Sequence, residues 1–127
     1  MLKKFLKKNS ELVVMLHQLE PVLAQRNRIG YVAARNYRVL SDALIEYNQF
    51  KNELIEKYGT PDKAEDGTEL PTASIKVGSP QFKSFCDEMA QYNNIEQQVE
   101  LMTVKFNDVI DVLSGAEIVG IDWMLEE

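Results

Sequence analysis

The segment Tyr31–Gly59, YVAARNYRVLSDALIEYNQFKNELIEKYG, limits the folds open to this chain more than any other stretch. Ala33, Tyr37, Leu40, Leu44, Tyr47, Lys51, Leu54 and Tyr58 alternate four and three residues apart, which lays one apolar stripe along a helix, broken only at Lys51. Val32, Val39, Ala43, Phe50 and Ile55 widen that stripe beyond a coiled-coil seam, so more than one neighbour is expected to pack on it. No proline or glycine interrupts the pattern, and Gly59 followed by Pro61 marks its end. The spacing predicts one continuous helix over 31–59, roughly 40 Å long.

The flanking segments read as its cover. Leu2, Phe5, Leu12, Leu16, Leu19 and Leu23 keep the same rhythm, with Asn9 as the polar member, so residues 1–25 read as a basic amphipathic helix. Pro21 either kinks that helix or opens a second short piece. The connection Arg26–Gly30 is short enough to lay the two helices antiparallel. Residues 60–79 lose the helical period, and Asp66-Gly67 signals a turn. Ala73, Ile75 and Val77 alternate as a strand, whose natural partner is the run 98–104; residues 97–104 themselves read equally as strand or helix. Ser79-Pro80 opens a helix over 80–93 that buries Phe82, Phe85 and Met89, with Cys86 on the same side. Ser114 and Glu117 have capping-box spacing, so residues 106–126 are expected to contain the C-terminal helices. The expected fold is mainly α: an antiparallel hairpin of two long helices, shorter C-terminal helices and a small two-stranded β element. A chain of 127 residues reads as one domain.

Charge is distributed unevenly. Residues 1–38 carry eight Lys/Arg against Glu11 and Glu20, whereas the remaining residues carry six basic and eighteen acidic groups, for a net −6 overall. Either the two parts attract each other, within one chain or across a dimer, or each meets a partner of opposite sign. Overall acidity argues against a dedicated nucleic-acid binder. No apolar run approaches the length of a membrane span, and the basic N-terminal segment lacks the apolar core of a leader, so no membrane partner is expected.

The same composition narrows the chemistry. One cysteine, Cys86, and one histidine, His17, fall short of a zinc site or a disulfide. His17 lies mid-helix without an obvious orienting partner that would make it a general base. Glu53 with Glu56, or Asp108 with Asp111, share a helix face but read as solvated charges rather than metal ligands. No phosphate loop or nucleophile elbow is present. The chain therefore reads as a non-enzyme without cofactor or metal.

What remains is surface. Arg26, Arg28, Arg35 and Arg38 gather at one end of the expected hairpin with Tyr31 and Tyr37. Guanidinium groups beside aromatic rings suit a protein-interaction face, or a phosphate or nucleotide. Trp123, the only tryptophan, reads as either a core anchor or an interface residue.

Several motifs occur in a telling order: Ala33-Ala34-Arg35-Asn36, then Glu53-Leu54-Ile55-Glu56-Lys57-Tyr58-Gly59, Asp66-Gly67, Phe82, Val99-Glu100-Leu101 and Ile121-Asp122-Trp123-Met124-Leu125-Glu126-Glu127. From Arg26 onward the chain resembles small proteins of unknown function encoded by tailed bacteriophages and prophages, departing from that pattern around Thr68–Val77. The resemblance implies a setting, the bacterial cytoplasm or the virion, and no functional residues. Two roles are expected from it: a homo-oligomeric module that binds a host protein such as a defence factor, its acidic part facing a basic target, or an accessory protein of the phage particle.

Overall fold

The structure is a computed structural model that describes residues 1–126, with Pro71 and Thr72 described by their backbone alone. In chain order the elements are β1 (Leu2–Lys8), α1 (Asn9–Leu19), a 3-10 turn (Glu20–Val22), α2 (Arg28–Ala43), α3 (Ile45–Tyr58), β2 (Thr60–Lys63), β3 (Glu69–Ser74), α4 (Pro80–Asn93), β4 (Glu96–Met102), β5 (Val104–Lys105), α5 (Phe106–Val109), α6 (Gly115–Gly120), a second 3-10 turn (Asp122–Met124) and β6 (Leu125–Glu126). Among the described residues the fold is mainly α, with three two-stranded ribbons: β1 antiparallel to β4, β2 antiparallel to β3, and β5 parallel to β6. The chain divides into two compact units, Met1–Leu44 with Glu96–Glu127, and Ile45–Ile95.

The N-terminal segment departs from the helical reading. Leu2–Lys8 is a strand, and the first helix is confined to Asn9–Leu19. As a helix, the segment would set Lys3 against Lys7 and Lys4 against Lys8 at four-residue spacing, where like charges repel. As a strand it sets Lys4 opposite Glu100 and Lys8 opposite Glu96, and turns Phe5 inward opposite Val99. The basic N-terminal and acidic C-terminal parts thus face each other within one chain. Residues 97–102 are accordingly strand, but their partner is β1; of the expected partner strand, Ala73 pairs with Pro61 of β2 instead, and Ile75 and Val77 lie beyond the end of β3.

The long central helix is also interrupted. Leu44 leaves helical geometry at φ −96° and ψ 3°, while its N–H reaches back to the Leu40 and Ser41 carbonyls. Leu44 itself is buried. Pro21 takes the second of its two readings, sitting in the first turn of the short 3-10 piece.

The first unit holds nearly all of the buried apolar core. Of eighteen buried apolar side chains among the described residues, only Met89 lies in the second unit. Leu12, Met15 and Leu19 of α1, Ile29, Val32, Ala33 and Leu40 of α2, Val99 and Leu101 of β4, and Val109, Leu113, Ile121 and Met124 of the C-terminal turns form that core. The helix α2 lies on β4, and α1 packs on α2.

The second unit joins α3 to α4 in an antiparallel pair. Tyr47 Oη donates to Asn93 Oδ1 at 2.6 Å, Phe50 stacks on Tyr92 with ring centroids 4.7 Å apart, and Lys57 Nζ lies 3.4 Å from Glu88 Oε1. Partial burial raises the Tyr47 pKa, while contacts with Tyr58 and Glu88 raise that of Lys57. Ser79 caps α4 by accepting the Phe82 N–H at 3.1 Å, with Pro80 as first helical residue. The β2–β3 hairpin turns at Asp66-Gly67, where Gly67 takes φ +87° and Asp66 accepts the Thr68 N–H at 2.9 Å. Cys86 is exposed, not on the buried side of α4.

The capping box at α6 forms as the sequence predicts: Ser114 Oγ accepts the Glu117 N–H at 3.2 Å and Glu117 Oε1 accepts the Ser114 N–H at 2.9 Å. Hydrogen bonding from Ser114 holds the Glu117 carboxyl below its ordinary pKa. The resulting stabilisation is present above the usual glutamate pKa and is lost as pH falls through the lowered folded value. The Ser114 amide proton shift, followed by NMR from pH 7 downward, is therefore expected to move with an inflection below the ordinary glutamate range. In Glu117→Gln that inflection disappears.

Candidate interaction surface

The helix α2 presents two different faces because its residues alternate in kind every three to four positions. Asn27 starts it, its side-chain oxygen accepting the N–H groups of Ile29 at 3.1 Å and Gly30 at 3.3 Å. Gly30 sits within α2 against the Gln25 carbonyl so closely that a Cβ there would lie 1.9 Å from the oxygen, so close approach demands glycine. Ile29, Val32, Ala33, Asn36 and Leu40 face inward and are buried. Arg28, Tyr31, Arg35 and Arg38, spaced three, four and three apart, are exposed along the outward face.

Tyr31, Ala34, Arg35, Arg38 and Val39 line a groove of about 370 Å³, in which Tyr31 remains 64% exposed. Arg28 lines a neighbouring depression with Lys105, Asp108 and Glu126. Arg26 is exposed in the connection before α2. None of the four arginines has a carboxylate of a described residue within 4.0 Å; the ion pairs among the described residues are Lys7–Glu11, His17–Glu20 and Lys57–Glu88.

Two sequence candidates lie apart from this face. Tyr37 is half-buried. Trp123 meets Phe5 edge-on at 6.1 Å and donates its Nε1–H to Gln18 Oε1 at 3.0 Å. It is half-buried and lines a different depression, of about 380 Å³, with Lys7, Glu11, Val14 and Met15. The tryptophan thus anchors β1 to α1 and the C-terminal turn while keeping part of its ring at the surface.

Of the polar residues that organise this unit, Asn9 alone was singled out in the sequence. Asn36 is fully buried; its Nδ2 donates to the Met102 carbonyl at 2.9 Å and its Oδ1 accepts the Met102 N–H at 2.8 Å. Its place between Ala33 and Leu40 on the inward stripe was the available signal. Asn9, the polar member of the N-terminal seam, is buried and accepts from Gln97 Nε2 at 2.6 Å, which also donates to the Ala43 carbonyl at 2.9 Å. Thr103 Oγ1 donates to Glu126 Oε1 at 2.6 Å, beside the Thr103 N–H bond to the Met1 carbonyl at 2.7 Å.

The remaining chemistry is sparse. His17, expected to lack an orienting partner, has one in Glu20, whose Oε1 lies 3.2 Å from its Nδ1, but both side chains are exposed. Glu53, Glu56, Asp108 and Asp111 are exposed, and no group of three or more His, Cys, Asp or Glu among the described residues is placed to hold a metal ion. Among the described residues no helix is long and apolar enough to cross a membrane. The α2 face offers guanidinium groups with no ion-pair partner among the described residues around an exposed aromatic ring, an arrangement that binds carboxylates or phosphates. No family model, curated protein or solved structure matches the chain.

Proposed function

We propose that this protein is a non-catalytic interaction module, of the phage-encoded kind its sequence resembles, acting in the bacterial cytoplasm by occupying the surface of a host protein. The observation that carries this reading is the outward face of α2, where Arg28, Tyr31, Arg35 and Arg38 are exposed and the arginines have no carboxylate partner among the described residues. An arginine that is neither paired nor buried contributes little to its own fold, while Arg and Tyr are enriched where interfaces form. The face favours an acidic partner surface. A nucleotide or phosphate remains a lesser alternative there, since no backbone cradle accompanies the arginines.

A pull-down of tagged protein from infected cells, read by mass spectrometry, tests the proposal. One host protein is expected with the wild type and is lost with Arg35→Glu plus Arg38→Glu, whose circular dichroism stays unchanged. A second reading, an accessory protein of the phage particle working as an oligomer, is favoured by the second unit, whose Ile45–Ile95 segment buries only Met89 among its described side chains and so suits cover by neighbouring subunits. Capture of head or tail proteins, unaffected by the arginine reversals, would establish that reading and overturn the first.

A further inference from the structure

We propose that the free edge of β1 is a docking site for an extended acidic peptide segment of a partner protein, which adds to the ribbon as a third strand. This goes beyond the arginine face and does not rest on it. The hydrogen-bond pattern fixes which groups are free. The Thr103 N–H bonds the Met1 carbonyl, so with the observed register Lys3–Leu101, Phe5–Val99 and Lys7–Gln97 are the hydrogen-bonded pairs. The N–H and C=O groups of Leu2, Lys4 and Leu6 therefore point away from β4, and no other described residue bonds them. At Lys8 the outward N–H is already taken by Glu11 at 3.0 Å.

The two edges of the ribbon are treated differently. On β4 the outward groups of Met102 are both closed by the Asn36 amide. On β1 nothing comparable is present among the described residues, and Leu2 and Leu6 stand 46% and 64% exposed beside it. Lysines on an edge strand deter pairing with like-charged edges, including the β1 of a second copy. They do not deter an acidic strand. The chain itself shows the complement: β4, EQQVELM, sets Glu100 opposite Lys4, Glu96 opposite Lys8 and Met102 opposite Leu2. A segment with carboxylates at alternate positions and an apolar residue near Leu2 would find the same chemistry on the other side, its backbone supplying affinity and its side chains register.

The probe is a synthetic peptide of sequence EQQVELM, titrated onto the full chain and read by amide hydrogen exchange and NMR. Exchange at Leu2, Lys4 and Leu6 is expected to slow about tenfold or more at saturation, while Lys3, Phe5 and Lys7 keep the protection they already have. A peptide with lysine in place of both glutamates is expected to give no protection. Leu6→Pro removes an outward N–H without touching the β1–β4 ladder and is expected to abolish binding. Lys4→Gln, which keeps every backbone group, is expected to weaken the probe several-fold and serves if the proline variant does not fold. Absence of protection at the outward amides, shifts confined to Arg35 and Arg38, or equal binding by the lysine peptide would each overturn the proposal.

Discussion

Asn36→Ala is expected to lower the free energy of unfolding by about 3–5 kcal/mol, among the largest effects of any single change in this chain. The Asn36 amide occupies both backbone groups of Met102, and its own side chain has no exposed surface. Removing it leaves a donor and an acceptor without partners, each costing about 1–3 kcal/mol, and opens a small cavity between α2 and β4. Asn36→Leu separates the two contributions. Leucine fills the space but pairs with neither group, so most of the loss should persist if hydrogen bonding dominates. Urea denaturation of the three proteins provides the comparison, with the midpoint shifting at nearly constant slope. Full recovery of stability in Asn36→Leu would mean that the residue acts as filler alone.

Leu101→Ala and Leu54→Ala form the second pair, identical in chemistry and placed in different units. Leu101 is completely buried on β4, so its truncation is expected to cost about 3–4 kcal/mol. Leu54 is only half-buried on α3, in a unit where just Met89 is buried among the described side chains, and its truncation should cost less than about 1.5 kcal/mol. Differential scanning calorimetry of the two variants measures the contrast. Equal losses would show that α3 and α4 are covered in solution by another chain, which favours the oligomeric, particle-associated reading over the host-protein one.

Much of this architecture was legible because it depends on local chemistry. Ser79 with Pro80 set the start of α4, and the amphipathic run to Asn93 set its end. Asp66-Gly67 marked a turn because only a small set of residues tolerates that geometry. Ser114 and Glu117 announced their reciprocal cap. The strand at Leu2–Lys8 was hidden because Leu2, Phe5 and Asn9 satisfy a helical period, and only the distant Glu96 and Glu100 make the extended form preferable. The break at Leu44 has no proline or glycine to mark it. The arginine face was visible as a cluster, but whether those groups were already paired depended on contacts that no local pattern encodes. Trp123 was ambiguous for a good reason: it is partly an anchor and partly surface.

The pairing of β1 with β4 has a further consequence for the order in which the chain acquires structure. The first strand leaves the ribosome more than ninety residues ahead of the strand it pairs with. At about 5–20 residues per second, synthesis of the intervening segment keeps it single for roughly 5–20 s. An apolar strand held open that long would be a hazard for aggregation. Lys3, Lys4, Lys7 and Lys8 act as gatekeepers around Phe5 during that interval; Lys7 has Glu11 close behind it in the chain, whereas Lys4 and Lys8 meet Glu100 and Glu96 only when β4 emerges. The ribbon therefore closes only after the segment Ile45–Ile95 has been made, so that segment has its full sequence available before the unit that encloses it in the chain can be completed.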